Sequence, residues 1–126
     1  MSPKGLNRTK GNQGEQIGEI YLKEHGYQIV ERNLRSPFGE IDLVASHKGT
    51  LVFVEIKARR DATFGFPEEA VGERKKNKLV RLASWYLAQH PKLNSPVRFD
   101  VLAIQMEGSD SGIRLIQNAF DLQPHD

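Results

Sequence analysis

The period of the apolar positions changes along the chain, and each change marks an element. From Gln13 to His25 the apolar residues recur at helical spacing, with Ile17, Ile20 and Tyr21 on one stripe and Leu22 beside it. Gly26 then supplies the left-handed residue that commonly ends a helix. On this helix Glu19 and Lys23 stand four apart, the spacing of an exposed ion pair. Tyr27 to Asn33 alternates as a strand does, and Arg35-Ser36-Pro37-Phe38-Gly39 reads as a loop. Gly39 to Ala45 and Leu51 to Ala58 form two strands joined across Lys48-Gly49, a two-residue hairpin turn. Glu68 to Gln89 is the longest predicted helix, stopped by His90-Pro91. One of its faces carries Val71, Lys75, Leu79, Leu82, Ala83 and Tyr86, with Trp85 half-buried beside it. Val97 to Met106 and Ile113 to Phe120 are the last strands, on either side of a turn at Gly108 to Gly112. The second helix can cross between the hairpin and Val97, so the pattern predicts one α/β domain with a mixed sheet of about five strands, in the order α-β-β-β-α-β-β. The domain is expected over residues 13–120, after a flexible basic arm at 1–12 and before a polar tail at 121–126.

One part of this pattern does not suit a fold alone. Along Leu51 to Ala58, Val52, Val54, Ile56 and Ala58 share a face, and Leu51, Phe53, Glu55 and Lys57 share the other. Two charges therefore interrupt an otherwise apolar face of a central strand, which is costly unless compensated. A turn at Lys48-Gly49 makes paired residue numbers sum to 97, which sets Asp42 opposite Glu55 and Glu40 opposite Lys57. Like charges directly opposite destabilise a sheet. Two carboxylates in one place share a proton or hold a cation. The cluster reads as a metal-binding catalytic site for phosphodiester hydrolysis. Asp42 and Glu55 would be hard oxygen ligands for Mg²⁺ or Mn²⁺, with the Ile56 backbone carbonyl a third. Lys57 would orient the attacking water or stabilise the transition state. Glu40 reads as a cross-strand restraint on Lys57. A structural network of cross-strand ion pairs is the competing account. Glu15, in the expected first helical turn, either favours the helix dipole or reaches the cluster. Lys75, the one charge on its apolar face, either snorkels to solvent or does the same.

Composition narrows the alternatives. The 126 residues suffice for one domain, and the absence of cysteine removes disulfides, thiolate zinc sites and cysteine nucleophiles. No apolar run is long enough to span a membrane, and Met1 to Gly5 lacks the apolar core of a secretion signal, so a cytoplasmic protein is expected. Gly11-Asn12-Gln13-Gly14 lacks the Lys-Ser/Thr ending of a phosphate-binding loop, and there is no Gly-x-Ser-x-Gly. His25, His47, His90 and His125 show no ligand spacing and read as surface residues. The net charge of +2 is uneven: the last 22 residues carry one arginine against four acids, a net −3, so the preceding 104 carry +5. A basic body suits a polyanionic partner. Arg59, Arg60, Arg74, Lys78 and Arg81 are the candidate phosphate contacts, with a merely solvated face as the alternative. Phe64 and Phe66 read as a plug that holds their loop on the core.

The spacing of Asp42 and, thirteen positions later, Glu55-Ile56-Lys57 resembles the PD-(D/E)xK nuclease superfamily. The resemblance extends over roughly residues 10–105. It includes Gly14-Glu15, Tyr21-Leu22, Gly26-Tyr27, Arg32-Asn33-Leu34-Arg35, Gly39-Glu40-Ile41-Asp42-Leu43 and Phe53-Val54-Glu55-Ile56-Lys57-Ala58-Arg59. Phe64-Gly65, Pro67, Ala70-Val71, Lys75 and Arg98-Phe99-Asp100-Val101 complete it. On these motifs the chain resembles the small bacterial endonuclease-like proteins of the YraN family, UPF0102. That resemblance implies a restriction-endonuclease-like three-layer fold, Asp42 and Glu55 as metal ligands and Lys57 as the catalytic lysine. Similarity to Holliday-junction resolvases implies that Glu15 joins the metal site, and Lys75 lies where the family's second helix carries a lysine. Ile41 stands where the superfamily's name has Pro. The function so implied is a metal-dependent endonuclease acting on DNA, including branched recombination and repair intermediates. The analogy with junction resolvases admits a homodimer and involves no membrane. A non-catalytic nucleic-acid-binding module that keeps the fold, and a protein-interaction subunit, are the readings from other classes.

Overall fold

The computed structural model describes residues 9–59, 72–106 and 112–119. Two helices and five strands follow in the predicted order: α1 (Thr9–Glu24), β1 (Gln28–Ser36), β2 (Gly39–His47), β3 (Thr50–Arg59), α2 (Glu73–Gln89), β4 (Val97–Gln105) and β5 (Gly112–Ile116). The strands form one sheet in the order β1-β2-β3-β4-β5, antiparallel except for the parallel pair β3–β4. A parallel pair needs a long connection, and α2 lies within it. The helix α1 begins inside the stretch expected to be an arm. The beginning expected for α2, from Glu68 to Val71, lies outside the described residues, as do the loop phenylalanines Phe64 and Phe66. Among the described residues no helix is long and apolar enough to cross a membrane.

The hairpin turn follows from its residues. Lys48 and Gly49 both take positive φ, 51° and 83°, as a type I′ turn requires. The turn fixes the expected register, Leu43 opposite Val54 through His47 opposite Thr50. Alternation along β3 then builds two cores, one on each side of the sheet. Leu51 and Phe53 pack under α2 with Leu79, Leu82, Tyr86 and Phe99, the ring of Phe53 meeting that of Tyr86 edge-on at 5.8 Å. Val52 and Val54 pack on the other face with Leu22 of α1, Tyr27 and Leu102. The two helices therefore cover opposite faces of the sheet. The architecture is α/β in three layers.

The helix α1 buries a different stripe from the one its apolar residues suggest. Leu22 is fully buried, whereas Ile17 and Ile20 are 37% and 59% exposed. The buried line runs through Gly14, Gly18 and Leu22. A Cβ on Gly14 would lie 2.5 Å from the Cβ of Ala58, and one on Gly18 would lie 3.0 Å from Leu102 Cδ2 and 3.1 Å from Ile56 Cδ1. Four helical residues rise about as far as two strand residues, so Gly14 over Ala58 and Gly18 over Ile56 keep step. The helix then ends as expected: Gly26 takes φ +89°, and Tyr27 N–H donates to the Leu22 carbonyl at 2.9 Å. Gly14→Ala is expected to lose stability. The overlap with Ala58 costs about 1–3 kcal/mol, against a gain of about 1 kcal/mol in helix propensity. In an Ala58→Gly background the same change is expected to stabilise. A double-mutant cycle in urea reads the difference, and additivity of the two changes would refute the close approach.

A buried polar network closes the far end of the α1-side core. Asp100, 1% exposed, accepts from Tyr27 Oη at 2.8 Å, from Arg98 Nε at 2.9 Å and from the Asn118 backbone N–H at 2.9 Å. Gln117 donates to Tyr27 Oη at 2.9 Å. His47, expected at the surface, is instead buried, its ring stacked on Tyr27 at 4.1 Å. Burial, then the neighbouring Arg98 charge, lowers the His47 pKa, so this imidazole is neutral near pH 7. His25 is exposed as expected, and His125 lies outside the described residues.

Candidate active site

Asp42 lies where the alternation of β2 breaks. Val44 and Ile41 both belong to the α2-side core, while Leu43 and Ala45 belong to the α1-side core. A regular strand cannot put residues three apart on one face, so the chain changes face at Asp42. Opposite it on β1, Asn33 takes φ 51°, a conformation that asparagine tolerates, and the β1–β2 pairs run on either side of these two residues. The β2–β3 pairing ends at Leu43 opposite Val54. Beyond it the Asp42 side chain takes over from the backbone, its Oδ2 accepting from Ile56 N–H at 2.7 Å. Asp42 and Glu55 are thus neighbours, as the hairpin register predicts. They meet at a kink where two strands part, not across a regular ladder.

The electrostatics of the kink are those of a site short of positive charge. Burial is the main reason that Asp42 is pushed up to about 6. The Ile56 hydrogen bond works against this, the carboxylates of Glu55 and Glu15 add to it, and Lys75 eases it. Glu15 is half-buried on α1 and is close enough to act on Asp42. Because α1 begins at Thr9, Glu15 is not in its first turn, and the helix-dipole account of this residue loses its basis. Glu55 Oε2 accepts from Lys75 Nζ at 2.5 Å and lies 3.3 Å from Lys57 Nζ. Lys75 therefore does not snorkel away to solvent: it reaches from α2 to the strand carboxylate. Burial works to lower its pKa, but the Glu55 hydrogen bond and charge outweigh that and hold it above the ordinary lysine value. Lys75 is a fixed cation here, not a base.

Glu40 does not restrain Lys57. It pairs across to Arg35 on β1, is 69% exposed and lies 4.0 Å from the Arg35 guanidinium. The kink at Asp42 carries this end of β2 away from β3, so Lys57 takes its carboxylate partner, Glu55, from its own strand. Arg74, Lys78 and Arg81 are exposed on α2. Arg60 and the side chain of Arg59 lie outside the described residues.

A cleft of about 450 Å³ that no sequence pattern marks lies between α1 and the β1–β2 kink. It opens on the α1 side of the sheet, away from the outer face of α2 with its three basic residues. Asp42 and Glu15 stand in its wall, with Gln16, Ile20, Lys23 and Arg32 among the other lining residues. Arg32 is held by Glu19 through two hydrogen bonds, Nε at 2.6 Å and Nη2 at 2.9 Å, and Lys23 Nζ lies 3.7 Å from the same carboxylate. In the sequence Ile20 reads as part of the core stripe of α1, so its pattern pointed away from this cleft.

The donors suit a hard divalent ion in kind: the oxygens of Asp42, Glu55 and Glu15 and the Ile56 carbonyl. Asp42, raised by burial and by two neighbouring carboxylates, is the group such an ion would relieve most. In the arrangement described, Glu55 is neutralised by two lysines. Among the described residues, no three acidic or histidine side chains enclose an ion between them.

Compared with known proteins, residues 14–104 match the profile described as Uncharacterised protein family UPF0102. A UPF0102 protein of Desulfosudis oleivorans is 48% identical over 111 residues, 88% of this chain and 89% of its own length. A UPF0102 protein of Symbiobacterium thermophilum is 47% identical over 117 residues, 91% of this chain and 98% of its own. Among solved structures, Pyrococcus furiosus SfsA in complex with Ca²⁺ aligns with TM-score 0.38 and 18% identity, over 87% of this chain and 62% of its own. The crystal structure of SSO0001 aligns with TM-score 0.37 and 15% identity, over 94% and 57%.

Proposed function

We propose that this chain, which belongs to the UPF0102 family, is a metal-dependent endonuclease that hydrolyses phosphodiester bonds of DNA. The observation that carries the reading is Asp42: a carboxyl raised by its burial and then by Glu55 and Glu15, beside a strand that continues Glu55-Ile56-Lys57. A fold gains nothing from gathering these charges at a kink. Asp42, Glu55, the Ile56 carbonyl and Glu15 would hold Mg²⁺ or Mn²⁺, which when bound lowers the pKa of water and offsets charge growing on phosphate. The remaining work belongs to the chain. The Ile56 N–H fixes one oxygen of Asp42 and so orients the other. Lys57, partly exposed beside Glu55, is placed to hold a water for attack or to stabilise charge on the phosphate. Lys75, held as a cation, fixes Glu55 in position.

Two measurements on the purified chain test this. Mn²⁺ is expected to raise the melting temperature of the wild type and not of Asp42→Asn. Supercoiled, linear and branched DNA are expected to be cleaved with Mg²⁺ or Mn²⁺ and to survive with EDTA. A wild type that neither binds the ion nor cuts any of these substrates would sink the reading. One observation favours a second account, a nucleic-acid-binding module without turnover: Glu55 already has two lysines as counter-ions. That account predicts salt-sensitive DNA binding and no cleavage with either ion.

A further inference from the structure

The cleft beside Asp42 is lined in a way that the hydrolytic chemistry does not require. Its walls divide by chemistry. Glu15, Glu19 and Asp42 supply carboxylates, Lys23 and Arg32 supply positive charge beside Glu19, Gln16 and Asn33 supply amides, and Ile20 and Leu43 supply apolar surface. Ile20, 59% exposed, presents its apolar side chain to the cleft. Arg32 is also exposed, yet the Glu19 carboxylate holds its guanidinium by two of its N–H groups, leaving the remaining donors for another acceptor. The volume of about 450 Å³ falls in the range of small-ligand sites. Asp42 stands in its wall, so whatever enters lies next to the carboxylate assigned to the chemistry.

We infer that this cleft receives one unstacked nucleotide adjoining the scissile phosphate. Arg32 and Lys23 hold its phosphate, Ile20 packs against its sugar or base, and Gln16 and Asn33 offer hydrogen bonds to the base edge. The inference rests on the nuclease reading and gives it a substrate class: DNA with an unpaired nucleotide at the point of cutting, not uninterrupted duplex. A base inside a duplex cannot enter such a site without being unstacked, whereas a mismatched, bulged or single-stranded one enters at little cost.

Binding in EDTA tests this independently of turnover. The probes are fluorescein-labelled DNAs of one length: a single strand, a duplex with one bulged nucleotide, and an intact duplex. The wild type is expected to prefer the first two by about tenfold. Ile20→Ala and Arg32→Gln, both at exposed positions, are expected to remove most of that preference. Arg32→Gln is also expected to flatten the dependence of log Kd on log salt by about one unit for each phosphate that the guanidinium had neutralised. Circular dichroism checks that both variants stay folded. Equal binding to all three probes, or a preference that both variants retain, overturns the cleft assignment and leaves the nuclease reading standing. Failure of the wild type to bind any probe likewise overturns the cleft assignment, while the nuclease reading stands or falls on ion binding and cleavage.

Discussion

Asp42→Asn is expected to abolish DNA cleavage and, at neutral pH, to make the protein more stable. Loss of the ligand proposed for the ion is expected to lower the rate by on the order of a thousandfold or more, the scale seen when one electrostatic interaction in a reacting centre is removed. The stability effect has the opposite sign because the native state holds this acid at a cost. Its pKa is about 6 in the fold, against an ordinary value of 3.8. Between those values the native state binds more protons than the unfolded chain, so stability falls as pH rises from about 4 to about 6 and stays reduced above that. A shift of this size corresponds to about 3 kcal/mol. Asparagine keeps an oxygen for the Ile56 N–H but cannot ionise. Urea denaturation across pH is therefore expected to show the variant more stable at pH 7, with the gap closing by pH 4. Saturating Mn²⁺ is expected to narrow the gap by stabilising the wild type alone. A variant less stable than wild type at pH 7 would mean that Asp42 is an ordinary structural carboxylate.

Asp100→Ala is expected to cost more stability than any of the other substitutions. The carboxylate is fully buried and serves Arg98, Tyr27 and the Asn118 backbone at once. Its removal leaves a guanidinium, a hydroxyl and a peptide N–H without their acceptor in the core. Breaking a buried ion pair by deleting one partner costs about 3–5 kcal/mol. For a chain of this size that lowers the melting temperature by about 10 °C or more. Tyr27→Phe removes a hydroxyl without stranding a charge and is expected to cost only about 1–2 kcal/mol. If Asp100→Ala lost no more than Tyr27→Phe, the network would be peripheral to the stability of the fold.

The element order and the hairpin register were legible in the sequence because they rest on local rules. Lys48-Gly49 dictates its own turn type, and the face of α2 that carries Leu79, Leu82, Ala83 and Tyr86 is apolar at every step. The packing face of α1 was not legible. Its closest approaches to the sheet are made by Gly14 and Gly18, which add nothing to a hydrophobic pattern, while Ile17 and Ile20 supply a false one. At the candidate site, Asp42, Glu55 and Lys57 stood out because charge on a central strand needs a reason. The kink did not, because it depends on Asn33, a residue on another strand with nothing in its neighbours to mark a positive φ. Glu40 was misplaced for the same reason, since the kink turns it toward Arg35. The Asp100 network joins residues more than seventy positions apart, and no local pattern reports such pairings. An acid between Phe99 and Val101 in a run otherwise fit for burial was the available sign.

The two-residue turn between β2 and β3 also sets an order of events. The hairpin closes over a handful of residues, whereas Leu51 meets Val97 only across forty-five intervening residues. Short loops close first, because their entropy loss is smaller and partners close in sequence are found sooner. Asp42 and Glu55 are therefore brought together early, before α2 docks and delivers Lys75. The nascent hairpin carries its two acids as a repulsive pair with only Lys57 nearby. Removing the Asp42 charge, as Asp42→Asn does, is expected to speed the refolding reaction as well as to steady the finished protein.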